Sequence, residues 1–295
     1  MMRYYLNGRF VADSEAMVHV SDHGFLYGDG CFEGVAIYGG KALYLDEHIH
    51  RLLLSARALR IEVSETHETI AGLMLETARR NSMYAPESGY LRPLLTRGKG
   101  PVGVKFSDKL EGPTFAILAQ FGERRPAYGD DVKVLSATVT GMVRPSISAV
   151  DPRVKSNNYL PSVLAYLEGH SRGADIGIML DSEGYLSEGH AMNLFVVRDG
   201  ELLTPPENAA LAGITRGRLL EIASSLGHSC REARLTVYDV LSADEVFVTG
   251  SMTGLAAVGQ IDGQALLEKA PGPVTCELRK AYISEALERG TPIPE

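Results

Sequence analysis

Short apolar runs bounded by turn residues dominate the first 121 residues and predict β-strands. Asn7-Gly8 and Gly39-Gly40 are turn dipeptides that each lie between two such runs, so each predicts a β-hairpin. Two longer stretches repeat their apolar residues at helical spacing instead. The expected elements are a hairpin of strands at 2–6 and 9–11, a hairpin within 37–45, a helix capped by Asp46, a helix at 66–80, and strands at 90–96 and 114–121.

The remainder of the chain mixes the two periodicities. Its clearest helix covers 215–226, where Thr215 is a typical N-cap, apolar residues share one face and Gly227 is a typical stop. The further expected elements are strands at 132–140, 176–180, 193–197, 201–204 and 245–249, and helices at 161–172 and 274–288. Because strands and helices do not alternate strictly, the sequence predicts an α+β fold.

The length of 295 residues suggests two domains, since a domain averages about 150 residues. Residues 122–130 contain Pro126 and Gly129 between two strand patterns, which is typical of a linker. We therefore expect a small N-terminal domain at 1–121 and a larger C-terminal domain at 131–295.

Composition narrows the functional classes. The 29 basic and 37 acidic residues give a formal charge of −8, which disfavours a nucleic-acid binder because such proteins present a basic face to phosphates. No apolar run approaches the roughly 18 residues of a membrane span, and the first residues lack the apolar core of a signal peptide. The three cysteines lie far apart and form no CxxC pair. These features predict a compact cytoplasmic protein of the size of an enzyme, with reduced thiols.

Two motifs have a structural explanation that we prefer. Gly98 to Gly103 match the GxGxxG dinucleotide fingerprint, but no amphipathic helix follows that could hold a pyrophosphate, so we interpret the motif as a loop. Acidic residues and a histidine between positions 22 and 33 could form a metal site, yet the glycines among them favour a tight turn that enters a strand. His48 is expected at the surface.

Four segments carry candidate chemistry, and each also has an ordinary explanation. Lys155 follows a proline-containing loop, where burial or a neighbouring cation such as Arg153 favours a neutral, nucleophilic amine, although most lysines only keep proteins soluble. Glu188 precedes an apolar strand and lies either at a turn surface or buried against a cation. Residues 213–215 and 249–254 can bind an anion, or form a plain helix cap and an ordinary loop.

In combination these segments resemble a known enzyme family, the class IV aminotransferases, which are the fold-type IV pyridoxal-phosphate enzymes. The resemblance rests on the order of Asn7-Gly8, the 25–34 segment, Arg51 in a His-x-x-Arg-Leu motif, Lys155, Glu188, Gly213-Ile214-Thr215 and the 249–254 loop. Within the family, the chain looks most like the branched-chain amino acid aminotransferases. The resemblance implies a two-domain enzyme: a small N-terminal α/β domain, and a larger C-terminal α/β domain with a mixed sheet or barrel-like core that carries the Schiff-base lysine.

The resemblance also implies the cofactor pyridoxal 5′-phosphate and no metal. It assigns Lys155 to the Schiff base with the cofactor aldehyde and to proton transfer, and Glu188 to the pyridine nitrogen, which a carboxylate keeps protonated. Tyr159 is implied to hydrogen-bond the 3′ oxygen and Leu211 to pack on the ring. The implied phosphate ligands are Arg51, Ile214, Thr215 and Ser251.

Substrate residues follow from the strand motif Tyr90-Leu91-Arg92, which matches the Tyr-x-Arg pattern of the branched-chain group rather than the Arg-x-His pattern of D-amino acid aminotransferases. By this match Tyr90 and the amides of Met252 and Thr253 bind the α-carboxylate, and Arg92 helps to bind a distal carboxylate. Tyr27 and Phe32 are implied to wall an apolar side-chain pocket. The 99–104 loop is implied to close over the neighbouring subunit's site, so we expect a homodimer or a larger homo-oligomer.

The expected function is transfer of an amino group between an apolar, branched-chain L-amino acid and 2-oxoglutarate. Ala36, His190 and Met252 depart from the family pattern, and reshaping one pocket contact changes discrimination by roughly 10–200-fold. Three alternatives therefore stay open: a D-amino acid or (R)-amine transaminase, an enzyme like aminodeoxychorismate lyase, and a non-catalytic binder of the cofactor.

Overall fold

The computed structural model describes residues 2–84, 89–105, 109–121, 128, 131–266 and 269–295. Within these ranges the helices are α1 (His23–Tyr27), α2 (Leu45–Ala58), α3 (His67–Arg80), α4 (Leu160–Ser171), α5 (Ile214–Ser225), α6 (Val237–Leu241) and α7 (Pro273–Arg289). The strands are β1 (Arg3–Leu6), β2 (Arg9–Ala12), β3 (Gly30–Phe32), β4 (Val35–Tyr38), β5 (Lys41–Ala42), β6 (Gly89–Thr96), β7 (Thr114–Phe121), β8 (Val134–Val143), β9 (Ile176–Leu180), β10 (Leu186–Gly189), β11 (Asn193–Arg198), β12 (Glu201–Thr204), β13 (Ser229–Glu232), β14 (Glu245–Gly250), β15 (Gly254–Ile261), β16 (Gln264–Ala265) and β17 (Thr291–Pro292).

The chain divides into two compact units. Unit 1 comprises Met1–Pro126, Val154–Asn158 and Ala286–Glu295, and unit 2 comprises Ala127–Arg153 and Tyr159–Glu285. The expected linker at 122–130 lies outside the described residues except for Tyr128. The segment around Lys155, expected within the C-terminal domain, is grouped with unit 1 because its backbone hydrogen-bonds to β3.

Unit 1 is built on an antiparallel sheet of order β17-β5-β4-β6-β7-β1-β2, with β3 also paired to β6. The expected first hairpin is present, and its turn residues Asn7 and Gly8 have φ values of 44° and 87°, in the left-handed region that such a tight turn requires. The apolar faces of α2 and α3 contribute Ile49, Leu52 and Met74 to one core with the sheet. α2 begins at Leu45 after a left-handed Tyr44, so Asp46 lies in its first turn and is not the expected cap.

Unit 2 is built on a mixed sheet of order β10-β9-β8-β15-β14-β11-β12-β13, with β16 paired to β15. The β8–β9, β8–β15 and β12–β13 pairs are parallel, and the remaining pairs are antiparallel. α5 begins at Ile214, and its N-cap is Gly213 rather than the expected Thr215. The sheets and helices of the two units confirm the α+β prediction.

Two kinds of feature are absent from the described residues. No helix in the described parts of the chain combines the length and the apolar character that crossing a bilayer requires. Nor do these residues contain a group of histidine, cysteine and acidic side chains arranged to hold a metal ion. Asp22 instead caps α1 by accepting a hydrogen bond from the Gly24 amide at 2.8 Å, and Asp29 forms a two-point ion pair with Arg97.

Candidate active site

Lys155 lies on a short segment that extends the sheet of unit 1 beside β3. Its carbonyl accepts a hydrogen bond from the Phe32 amide at 3.0 Å, and the Asn157 amide donates to the Gly30 carbonyl at 2.8 Å. The Lys155 amide donates to Ser55 Oγ on α2 at 3.2 Å. The lysine backbone is therefore held on both sides, and the amine of its half-buried side chain lies 4.7 Å from the centre of the Phe32 ring.

The Arg92 guanidinium also contacts the Phe32 ring. Arg92 Cζ lies 4.8 Å from the centre of Phe32, and the guanidinium donates two hydrogen bonds to the Tyr90 hydroxyl at 3.1 and 2.9 Å. Tyr90 and Arg92 are two residues apart on β6 and therefore project from one face of the sheet. Gly34 leaves the room that this requires, because a Cβ there would collide with Tyr90 Oη. The structure thus gathers Lys155 and three of the expected substrate residues.

Arg51 is held by the buried carboxylate of Glu33, which lies in the 25–34 segment but to which the resemblance assigned no role. Glu33 is fully buried and accepts hydrogen bonds from Arg51 Nε at 2.6 Å, Arg51 Nη2 at 2.9 Å and His48 Nδ1 at 2.7 Å. Burial raises the pKa of Glu33, but the charge and hydrogen bond of Arg51, followed by those of His48, hold it well below its usual range.

His48 is buried, so the expectation of a surface position is wrong. Burial lowers the pKa of His48 more than the hydrogen bond and charge of Glu33 raise it, which leaves the ring neutral. The neutral ring donates its Nδ1 proton, because an ionised carboxylate can only accept. The available signal was the spacing of His48 and Arg51, which are three residues apart and therefore share a face of α2.

Tyr27 anchors the loop that the resemblance places over a neighbouring site. Its hydroxyl accepts a hydrogen bond from the Gly103 amide at 2.6 Å, and its ring packs edge-on against His23. His23 Nε2 in turn donates to the Pro101 carbonyl at 2.9 Å. The hydrogen bonds at Pro101 and Gly103 hold the backbone of the loop. Val102 between them is 83% exposed, so the loop presents an apolar side chain to solvent.

Glu188 is the centre of the candidate group in unit 2. It lies on the buried strand β10, and its carboxylate accepts a hydrogen bond from the Leu211 amide at 3.1 Å. Arg144 Nε lies 2.8 Å from Glu188 Oε1. The two side chains form an ion pair, but the N–H of Arg144 Nε does not have the direction of a hydrogen bond. Asn193 Nδ2 bridges Glu188 and the Leu211 carbonyl. The choice between a surface and a paired Glu188 is thus settled in favour of pairing, with an arginine that no motif marks.

The first turn of α5 lies next to this carboxylate group. Asn193 again makes the connection, because a Cβ on Gly213 would collide with Asn193 Oδ1. No side chain caps the helix, and Ile214 and Thr215 supply two of the first amides, which an α-helix cannot bond internally. The Thr215 side chain is 2% exposed, and its hydroxyl lies 3.1 Å from the Tyr282 hydroxyl.

The remaining candidates in unit 2 lie at the β14–β15 turn and at the start of α4. The Ser251 carbonyl accepts a hydrogen bond from the Tyr128 hydroxyl at 2.8 Å, and the Thr253 amide donates to the Gly250 carbonyl at 3.1 Å. Met252 is about half exposed at the tip of this turn. Tyr159 is half-buried and is the N-cap residue of α4. In unit 2 the structure therefore connects Glu188 and Leu211 to the start of α5 through Asn193.

Comparisons with known proteins identify the family of this chain. Residues 30–261 match the family model for amino-transferase class IV, and the chain belongs to that family. It is 38% identical over 283 residues to a putative branched-chain-amino-acid aminotransferase of Methanocaldococcus jannaschii. These aligned residues cover 95% of each protein. The expected membership of the fold-type IV aminotransferases, and with it the expectation of an enzyme, is confirmed.

Two solved structures show the same similarity over nearly the whole chain. The branched-chain aminotransferase from Thermoproteus uzoniensis, determined with norvaline, superposes with a TM-score of 0.90 at 32% identity and 99% coverage of both chains. The T.th. branched-chain amino acid aminotransferase, complexed with N-(5′-phosphopyridoxyl)-L-glutamate, superposes with a TM-score of 0.88 at 31% identity, covering 98% of this chain and 95% of that one. Among class IV aminotransferases, this chain is therefore similar to the branched-chain enzymes.

Proposed function

We propose that this protein is a pyridoxal-phosphate-dependent transaminase that moves an amino group between an apolar, branched-chain L-amino acid and 2-oxoglutarate. The observation that carries the proposal is the shared Phe32 ring. The Lys155 amine, which can bond to an aldehyde, lies against this ring. The Arg92 guanidinium, which can bind a carboxylate, lies against it as well. The similar T.th. enzyme binds a phosphopyridoxyl-glutamate, which combines such a cofactor with a dicarboxylic amino acid.

The residues of the chain fit this cofactor. A helix N-terminus without a side-chain cap and with a buried threonine hydroxyl suits a phosphate, and a buried carboxylate suits a protonated ring nitrogen. When bound, the cofactor supplies an electron sink that stabilises negative charge on the substrate Cα. The holding residues we propose are Arg51, Ile214, Thr215 and Ser251 for the phosphate, Glu188 for the ring nitrogen, Tyr159 for the 3′ oxygen and Leu211 for the ring face.

Lys155 has two tasks in this proposal. Its amine would hold the cofactor through the aldehyde group, and its Nζ would accept the proton from the substrate Cα and later return it. The backbone hydrogen bonds to Phe32 and Ser55 keep the lysine Cα in place while the four-carbon side chain moves. This combination of a fixed anchor and a mobile amine suits a proton carrier.

Glu188 holds a proton on the ring nitrogen. The Leu211 amide and Arg144 orient its carboxylate, so the negative charge does not have to reorganise during the reaction. Asn193 links the same carboxylate to the residue that precedes α5, since its Nδ2 bridges Glu188 and Leu211 while its Oδ1 packs on Gly213. One side chain thereby sets the spacing between the nitrogen and phosphate ligands.

Substrate selection rests on the β6 pair and its surroundings. Arg92 and Tyr90 form one hydrogen-bonded unit, which we propose binds the carboxylates of the substrates together with the amides of Met252 and Thr253. Phe32 and Tyr27 form the apolar wall. Met252 and Ala36 depart from the branched-chain pattern, and this favours a transaminase for D-amino acids or (R)-amines as the second candidate.

The first experiment tests catalysis through Lys155. Lys155→Ala is expected to abolish both the visible absorbance of bound pyridoxal phosphate and the transfer of amino groups, because no other amine would replace it. Lys280→Ala on the exposed face of α7 is the matched control and is expected to keep both. A fully active Lys155→Ala protein would overturn the proposal. If the unmodified protein shows the absorbance of bound pyridoxal phosphate but transfers no amino group from any donor, it is a non-catalytic binder.

The second experiment tests the substrate class. Single-turnover reactions of the cofactor-loaded enzyme with L-leucine, L-valine, D-alanine, D-glutamate and (R)-1-phenylethylamine separate the candidates. Conversion by the two branched-chain L-amino acids supports the proposal. Reaction with only the D-amino acids or the amine would reject the branched-chain assignment while leaving the family unchanged, and reaction with none of the five would favour the lyase or the non-catalytic binder.

We also propose that the enzyme is a homodimer or a larger homo-oligomer. α4 exposes a run of large apolar side chains, and such patches mark interaction surfaces on proteins. The exposed residues are Leu160, Val163, Leu164, Tyr166 and Leu167. Leu167→Glu is expected to shift the sedimentation coefficient towards the monomer, whereas Leu226→Glu, at a similarly exposed leucine that ends another helix, is expected to leave it unchanged. A monomeric unmodified protein would refute the assembly.

A further inference from the structure

Three buried hydroxyl groups form a row from the first turn of α5 to the β14–β15 turn. Thr215 Oγ1 lies 3.1 Å from the Tyr282 hydroxyl, which lies 3.5 Å from the Tyr128 hydroxyl. Tyr128 donates to the Ser251 carbonyl at 2.8 Å, and the two tyrosine rings are stacked with centres 6.1 Å apart. None of the three side chains belongs to a residue more than 5% exposed, so the row is shielded from water.

Proton counting shows what this row can offer a ligand. A phenol has one proton, and that of Tyr128 is committed to the Ser251 carbonyl, which cannot donate. Tyr282 can give its own proton to Tyr128 at 3.5 Å or to Thr215 at 3.1 Å, and the shorter contact can carry the proton of either hydroxyl. Once the Thr215 hydroxyl donates to a ligand, only Tyr282 can supply the proton of the hydrogen bond between Tyr282 and Thr215.

We propose that Tyr282 is a positioning residue for cofactor binding, which donates to Thr215 Oγ1 so that the Thr215 hydroxyl donates to the cofactor phosphate. The inference rests on the proposed function, because the phosphate is that of pyridoxal 5′-phosphate. Tyr128 completes the arrangement by holding the Ser251 backbone at the other end of the row. Burial raises the pKa of Tyr282, so its phenol stays protonated and able to donate at neutral pH.

The test measures binding of pyridoxal 5′-phosphate and of pyridoxal, which lacks the phosphate, by absorbance titration. Tyr282→Phe is expected to lower the affinity for pyridoxal 5′-phosphate by about five- to tenfold, which is the effect of one lost hydrogen bond, and to leave the affinity for pyridoxal unchanged. Tyr238→Phe, at an exposed tyrosine on α6, is the matched control and is expected to change neither. Equal weakening of both ligands, or no weakening, would overturn the proposal.

A double-mutant cycle separates positioning from a general structural effect. In a Thr215→Val background, Tyr282→Phe should cost no further affinity, because the hydroxyl on which it acts is gone. An undiminished loss there would show that Tyr282 does not act through Thr215. If Tyr282→Phe fails to fold, Thr215→Val alone must lose affinity for the phosphorylated ligand and not for pyridoxal, or the proposal fails. An unmodified protein that binds no pyridoxal phosphate would instead refute the proposed function.

Discussion

Replacing Glu33 with glutamine should cost more stability than any change at an exposed ion pair. The fully buried carboxylate accepts two hydrogen bonds from Arg51 and one from His48, at distances of 2.6–2.9 Å. A glutamine keeps one acceptor oxygen but places an NH₂ group against a donor, and Arg51 loses its counter-charge. Removing one partner of a buried pair costs about 3–5 kcal/mol. The Arg51 side chain retains 13% exposure and can regain some hydration, so we expect a loss of about 3 kcal/mol.

Urea unfolding at about pH 7 measures this loss as a shift of the midpoint at constant slope. Glu183→Gln is the matched control, because Glu183 also forms a two-point pair with an arginine, Arg234, but in an exposed position. The control should be nearly as stable as the unmodified protein. Equal, small losses for both variants would refute the reasoning that burial makes the Glu33 pair essential.

Acid should shrink the difference between the unmodified protein and Glu33→Gln. The pKa of Glu33 is lowered in the folded state, so the carboxylate contributes stability that is present above the usual value of 4.5 and is lost as the pH falls below it. The glutamine variant has no such group to titrate. Its free energy of unfolding should therefore approach that of the unmodified protein between about pH 4.5 and pH 3, and a constant gap would contradict the lowered pKa.

Two further changes test the geometry of the units. Gly213→Ala should destabilise the protein by about 1–3 kcal/mol and weaken cofactor binding, because its Cβ would collide with Asn193 Oδ1. Gly217→Ala on the same helix meets nothing within 4 Å and should stabilise by about 0.5–1 kcal/mol; urea titrations of both variants would show whether the collision or the loss of glycine matters. Burial raises the pKa of the Cys31 thiol to about 12, so Ellman's reagent should modify exposed Cys276 in the folded protein and Cys31 only after unfolding. Early modification of Cys31, identified by mass spectrometry, would show that the β3 region opens.

Local patterns predicted the elements of this fold well where a short apolar run ends at turn residues. β7, β9 and β12 begin and end at the expected residues, since each is bounded by glycine, proline or charged residues. The caps of α2 and α5 were each misplaced by two residues, because the cap depends on backbone conformation at Tyr44 and Gly213, not on the side chain that looks best suited. The parallel pairings of β8 could not be predicted, because they join segments far apart in the chain.

The candidate site divides in the same way. The family motifs indicated Lys155, Glu188 and Thr215, since each lies in a short and recognisable context. The side chains that contact expected site residues have no role in the family motifs. They are Arg144 beside Glu188, Glu33 beside Arg51 and Tyr282 beside Thr215, and each contacts its partner from another element of the fold. Site roles, the domain boundary and the cytoplasmic location stay predictions, to be decided by experiment.

The shared ring of Phe32 has a consequence for anyone who wishes to re-engineer substrate preference. The Lys155 amine and the Arg92 guanidinium both lie against this one aromatic side chain, whose electron-rich faces attract cations. Exchanging Phe32 for an aliphatic residue to enlarge the pocket would remove that attraction from both groups at once, and so mix a steric change with an electrostatic one. Libraries that vary the other proposed substrate residues while retaining an aromatic residue at position 32 would keep both contacts.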